Sequence, residues 1–415
     1  MKTKILFCVL IMMLCLPAMA RDYYVKPSGD DGNAGTAAKP FATIQKAADL
    51  AKAGDTIFIG EGVYYEGVTI KNDGAPGKWI VFRNIEGETP ILDGKFEMGI
   101  GMDYSHRSHI EIDGLTLRHF KYVGAGNRSP GAIVVRNCVC YRNGSAGICM
   151  NYGRPGSRLL VEDNVCYENG WGVAWASGIH INNKDQGKDT FHIIRRNICY
   201  NNYDNSEHRT DGNGIMFDLG GVGSYCLIEN NLCFNNGAGG INVLGGRADV
   251  VNNTLYRNGW DKGLLTWKGE PRYAAELMIS GWKDHTKEYS KKTTVRNNII
   301  WTRGYYPSGL ENDMDCVFEN NLFWSDKDPS TIKLPEWVKD SVIADPQFVN
   351  APKVEDTFDF RGAKFLKMDV DPYDFRLKAD SPAIDAGVQV KLLEDIHQTI
   401  RPLGIMFDIG AFECN

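Results

Sequence analysis

The stretch HRTDGNGIMFDLG, residues 208–220, gathers His208, Arg209, Asp211, Asn213 and Asp218 around the apolar run Ile215–Met216–Phe217. Charges at that density beside a short strand lose solvation unless they find partners. SGIHINNK, residues 177–184, offers a second set in His180, Asn182 and Lys184. Carboxylates with an imidazole or an amine nearby suit proton transfer. The same two carboxylates, Asp211 and Asp218, with Asp204 and Asn213 near, could instead give oxygen ligands to calcium. Either chemistry requires a fold that brings these two stretches together.

The sequence supplies one through repetition. One phrase recurs as RNCVCYRNG (136–144), EDNVCYENG (162–170), RRNICYNN (195–202), ENNLCFNNG (229–237), VNNTLYRNG (251–259), RNNIIWTRG (296–304) and ENNLFWSD (319–326). A second follows as AGICMN (146–151), SGIHIN (177–182), NGIMFD (213–218) and GGINVL (239–244), with AELMIS (275–280) a weaker copy. Each alternates apolar and polar residues between Gly and Asn, the mark of a short strand bounded by turns. Most copies are about 22 to 34 residues apart with no helical period between them, so the expected fold is an all-β parallel β-helix, a solenoid of stacked coils. Asn164, Asn197, Asn231, Asn253, Asn298 and Asn321 should form one vertical ladder of amides. Cys140, Cys166, Cys199 and Cys233 should form another, continued by Leu255, Ile300 and Phe323, which marks an apolar interior slot and packed thiols. His192, in FHIIRRN, reads as a turn or edge residue.

Stacking the second phrase sorts its faces. Ile148, Ile179, Ile215 and Ile241 point inward, as do Met150, Ile181, Phe217 and Val243. The outward columns then read Cys149, His180, Met216, Asn242 and Asn151, Asn182, Asp218, Leu244, and His180 should face solvent in a groove. Asn182 and Asp218 should be neighbours, with His180 beside them and Asp211 and His208 approaching from the groove lip. The turns between the phrases are long at 170–176, 201–212 and 258–274 and should wall one edge of this strip. They carry Trp171, Trp175, Trp267, Lys268 and Arg272, and aromatic planes with cations suit a sugar polymer bearing carboxylates.

The ends and composition set the context. Residues 1–20 have Lys2 and Lys4, an apolar run and Ala18-Met19-Ala20, the pattern of a cleaved export signal, so a secreted or periplasmic protein is expected. No other apolar run reaches the roughly 18 residues of a membrane span. Net charge is −6 and pI about 5.8, which argues against nucleic acid and anionic membranes as partners. KPFATIQKAADLAKAGDTIFIG (39–60) reads as a capping helix running into a strand, which covers the first open edge of the stack. The expected organisation is a helix with its N-terminal cap over 21–345 and an irregular C-terminal cap over 346–415, acting as a monomer.

The opening YYVKPSGDDGNAGTAAKPFATIQKAADLAKAGDTIFIGEGVYYEG and the ending DFRLKADSPAIDAG…DIGAFE resemble those of secreted right-handed parallel β-helix proteins. YNNYDNSEHRTDGNGIMFDLGGVGS resembles the family-nine polysaccharide lyases, many of which act on pectins. The resemblance places Asp211 on that family's first calcium aspartate. One coil later the family carries two adjacent aspartates and a third close behind, where this chain has Ala238, Gly239 and Asn242. AELMISG stands about where the family's lysine base should be. The resemblance implies an acidic polysaccharide as substrate and leaves three readings open. The first is a lyase with His180, Lys184 or His208 as base and Asp211 and Asp218 on calcium or acting without it. The second is a glycoside hydrolase using Asp211 and Asp218 as paired carboxylates. The third is a non-catalytic polysaccharide binder. Substrate contacts are expected from Asn182, Arg209, Asn242, Trp267, Lys268 and Arg272.

Overall fold

The computed structural model describes residues 19–183, 189–220, 223–266, 268–272, 274–280, 293–304, 316–353, 356–360, 363–366 and 373–414. The chain winds into a right-handed parallel β-helix whose coils stack three sheets of 12, eight and 11 strands. Each turn of the chain gives one strand to the 12-stranded sheet, one to the 11-stranded sheet and, in most coils, one to the eight-stranded sheet.

The repeated phrase builds two corners, one on each side of a three-residue strand. At the first corner a residue in the left-handed region, such as Asp163, Arg196, Asn230, Asn252 or Asn297, turns the chain at φ between 53° and 58°. The next residue is the buried asparagine of the expected ladder. Asn164, Asn197, Asn231, Asn253, Asn298 and Asn321 are all 0% exposed, and each of the first five donates its side-chain amide to the next at 2.9–3.0 Å. The second corner repeats the device. Asn143, Asn169, Asn202, Asn236 and Asn258 form a second amide ladder with links of 2.8–3.0 Å, and it ends on the Glu276 carboxyl 2.6 Å from Asn258. Burial pushes the Glu276 carboxyl up to about 8, opposed by its bond from Asn258.

Between the corners the strand alternates as its pattern requires. Cys140, Cys166, Cys199 and Cys233 pair in register and continue into Leu255, Ile300 and Phe323; the four cysteines are fully buried free thiols. His192 is not an edge residue: register with Leu159 and Cys226 turns it into the core, where burial pushes its imidazole down to about 3.

A helix at Ile44–Leu50 buries Ile44, Ala47 and Ala48 over the first coil, with Thr43 accepting from the Lys46 amide at its start. At the other end Ile332, Leu334 and Trp337 close the core. The segment after 345 lies along the flank, packing Phe348, Phe375, Leu377 and Ile409 on Tyr200, Phe234, Tyr256 and Ile299. The outward asparagines of the corners hold it: Asn201, Asn230, Asn252 and Asn297 donate to the carbonyls of Leu366, Glu394, Asp408 and Val388 at 2.6–3.3 Å. The phrase's Asn-Asn pairs thus face two ways, one amide to the ladder and one to this strap.

The ladder makes a definite energetic claim. Asn231 bonds the carbonyls of Ile194 and Glu229 and accepts from the Asn197 backbone and side chain. Asn231→Ala strands those groups in an apolar interior and should lower the free energy of unfolding by at least about 3 kcal/mol, read by denaturant titration. A change within about 0.5 kcal/mol would show that something else holds the coils.

Candidate active site

The eight-stranded sheet carries the second phrase. Strands Ala146–Asn151, Ser177–Asn182, Asn213–Asp218, Ile241–Leu244 and Leu277–Ser280 pair in parallel. Their registers give the columns Cys149, His180, Met216, Asn242, Met278 and Asn151, Asn182, Asp218, Leu244, Ser280, so AELMIS is the fifth copy. The entering glycine is a packing necessity. A Cβ on Gly214 would lie 2.7 Å from the Gly240 carbonyl oxygen and 2.9 Å from the Cys233 sulfur.

His180 sits at the centre of the strip. Its Nδ1 lies 3.3 Å from the Trp175 carbonyl oxygen, which can only accept, so Nδ1 carries the proton. Its Nε2 lies 3.7 Å from Asp218 Oδ2, at ion-pair rather than hydrogen-bond distance. Asn182 Nδ2 donates to the same oxygen at 3.1 Å. His180 Nε2 and Asp218 Oδ1 are both buried without a hydrogen-bond partner. Orphaned polar atoms of that kind concentrate where a ligand completes the site. Burial opposes charge on the imidazole, yet the Asp218 carboxylate and then Asp211 raise its pKa above the ordinary histidine value.

Asp211 acts on the imidazole through its charge. Burial pushes its carboxyl up to about 6, against the pull of His180 and of the Thr210 hydroxyl. Thr210 Oγ1 donates to its Oδ2 at 2.7 Å and Asn213 Nδ2 to its Oδ1 at 3.3 Å. Asp204 organises the turn: its carboxylate accepts from the backbone amides of Ser206, Thr210 and Asp211.

The three long turns form one wall. Leu265 N donates to the Arg209 carbonyl, Gly212 N to that of Ala176, and Asn205 N to that of Gly170. Tyr203 stacks on Trp260 at 5.1 Å, and Trp175 stacks on His208 at 5.5 Å.

Several expected roles change on this geometry. His180 does not face solvent: it is 3% exposed, because the turn through Trp175 closes over it. His208 is exposed on the lip, against Trp175 rather than beside Asp218. Arg209 is spent on an ion pair with Asp261 at 3.0 Å and pins the wall, and an Arg272 Nη donates to the Thr210 carbonyl. Asn242 is buried and donates to Asn213 at 2.7 Å. Lys268 is exposed on the wall. Lys184 and Trp267 lie outside the described residues. Thr210 and Asp261 were not singled out from sequence; each matters only through a contact made across a turn.

The donor set does not fit calcium, which wants six to eight oxygens. Asp211 and Asp218 each have a side-chain amide donating to them. Asn242 presents its NH2 to Asn213, and Ala238 and Gly239 bring no side-chain oxygen. Among the described residues no group of three or more His, Cys, Asp or Glu side chains is arranged to hold a metal ion.

Residues 23–270 match the family described as Pel9A-like, right-handed beta helix region. The chain is 29% identical to the uncharacterized protein YwoF of Bacillus subtilis over 301 residues, 65% of this chain and 63% of that one. It is 24% identical to pectate lyase PEL9 of Emericella nidulans over 305 residues, 69% of this chain and 58% of the relative. It therefore spans less than two thirds of the length of either relative. The crystal structure of pectate lyase Pel9A shares the fold at a TM-score of 0.58 and 19% identity, covering 96% of this chain and 97% of that one. With the matched region running from the first strand through His180, Asp211 and Asp218, the chain belongs to the Pel9A-like right-handed β-helix family.

Proposed function

We propose that this chain cleaves a uronate-containing polysaccharide by β-elimination, with His180 and Asp218 transferring the protons and no metal taking part. The observation that carries the reading is the buried pair itself, with Asp218 Oδ1 and His180 Nε2 both lacking partners. Family membership and the pectate lyase name of the Emericella nidulans relative support elimination over hydrolysis. Asp218 takes the proton from C5 of the uronate. The electron pair forms the C4–C5 double bond, the C4–O4 bond breaks, and the His180 imidazolium returns a proton to the leaving oxygen. Cations on the substrate carboxylate make that C5 proton acidic. Lys268, exposed on the wall, is suited to this, and Arg272 keeps N–H groups beyond its bond to the Thr210 carbonyl. Trp175, 55% exposed and held by His208, offers a face for a sugar ring. The leader read in residues 1–20 supports action outside the cytoplasm.

Pectins, alginate and glycosaminoglycans screened for an ultraviolet-absorbing unsaturated uronate should give a product with at least one polymer. New reducing ends without unsaturation would make the protein a hydrolase, and binding without turnover a binding protein. Asp218→Asn should lower kcat by about 10²-fold or more. Wild-type turnover by that variant would place the chemistry elsewhere.

The acid role of His180 fixes a pH dependence. The imidazolium is lost as pH rises through its raised pKa, so kcat should fall on an alkaline limb set above the ordinary value of 6.5. Asp211→Asn removes a neighbouring negative charge and should move that limb to lower pH. A limb that stays in place would separate Asp211 from His180. Activity should survive prolonged chelation undiminished; loss on chelation with recovery on added calcium would overturn the metal-free reading.

A further inference from the structure

An aromatic column climbs the outer face of the 11-stranded sheet, away from the site. Tyr141, Tyr167, Tyr200 and Phe234 stack at 4.8, 4.9 and 5.0 Å. The register continues it through Tyr256 to Trp301 and Trp324. The C-terminal strap covers the middle of the column. At the last coils Phe348 of the strap still stacks on Trp301 at 6.1 Å, and beside that contact Trp301 and Trp324, both partly exposed, line an open cavity of about 870 Å³. That volume is within the roughly 300–1,000 Å³ of small-molecule sites.

The rim carries charges of both signs. Lys327, Lys353 and Lys378 line it, all exposed, and Lys327 Nζ donates to the Gly304 carbonyl at 3.0 Å. Asp326, Asp328 and Asp345 line it too. Asp326 accepts from Trp301 Nε1 at 2.8 Å and pairs with Arg257 at 2.9 Å. Asp328 accepts from the Ser330 amide and Asp345 from that of Gln347. The bond to Asp326 also fixes the plane of the Trp301 ring. The partly exposed Trp324 indole beside exposed ammonium groups matches a sugar ring carrying an anionic substituent.

We propose that this cavity is a second, non-catalytic saccharide site that holds an acidic glycan chain, with Trp324 stacking on a sugar ring and Lys353 and Lys378 meeting carboxylates. The choice of a polyuronate as ligand rests on the function proposed above; the site itself rests on the cavity. It lies on a different sheet from His180, so a long polymer could be retained here while a segment is cleaved in the groove.

The test is affinity electrophoresis through polygalacturonate, alginate and a neutral galactan, with Asp218→Asn as the parent so that polymer is not consumed. Trp324→Ala and the double change Lys353→Glu with Lys378→Glu should each weaken retardation by the uronates by at least about fivefold. In the otherwise wild-type chain they should leave kcat/KM on a soluble trisaccharide within about twofold. Unchanged retardation in both variants, no retardation by either uronate, or equal retardation by the galactan would overturn the proposal. Trp324-dependent retention with no elimination product would leave this site standing and sink the catalytic reading. Elimination without such retention would do the reverse.

Discussion

A buried amide must find both a donor and an acceptor, and the whole solenoid is organised around meeting that requirement at its corners. A turn between stacked strands leaves backbone groups pointing into the apolar interior, where an unpaired one is costly. An asparagine side chain has the reach and the paired donor and acceptor to satisfy them. It does so when the next coil places a side-chain acceptor at the same height, an asparagine through most of the stack and the Glu276 carboxyl at the end of the second ladder. The left-handed residue before each ladder asparagine, at φ 53° in Arg196 and Asn230, aims the next side chain inward. Geometry and hydrogen bonding thus enforce one another, coil after coil.

The candidate site inherits its precision from this regularity and its chemistry from departures from it. With the two ladders holding the coils in register, His180, Met216 and Asn242 stand directly above one another, and so do Asn182 and Asp218. Uniform coils would make a uniform surface. The long turns at 170–176, 201–212 and 258–274 break the uniformity on one edge, and their mutual contacts bury His180 beside two carboxylates. Desolvation raises Asp211 to about 6, while Asp218 and then Asp211 raise the imidazole above the ordinary histidine value against its own burial. Groups poised in this way by burial and neighbouring charge are characteristic of sites that move protons.

Much of the fold was legible because each coil repeats the same physical problem. The Asn164 and Cys166 columns, the inward isoleucines and the Asn182–Asp218 contact follow from alternation and spacing alone. The second ladder, through Asn169 and Asn202, was equally present in the phrase, as the asparagine three residues after each cysteine. What spacing does not carry is contact between turns. The burial of His180 depends on where Trp175 folds back, the use of Arg209 on an aspartate 52 residues later, and the course of the C-terminal segment on aromatic outward positions such as Phe234 and Tyr256. The inward turn of His192 was hidden for a simpler reason: histidine occupies a slot that leucine and cysteine fill in the flanking coils.

A stack in which each coil touches only its neighbours is prone to fray from its ends, losing one turn at a time under tension or to a protease. The strap changes that response. Because the corner amides of Asn201, Asn230, Asn252 and Asn297 grip the same returning segment, and Arg401 and Glu413 lock its last turn in a fully buried pair at 2.6 Å, successive coils share one lateral tie. Peeling any one of them must first lift a segment anchored to the others. The outer asparagines at 201, 230, 252 and 297 therefore work as rivets, turning a pile of separable rings into a single unit that yields all together.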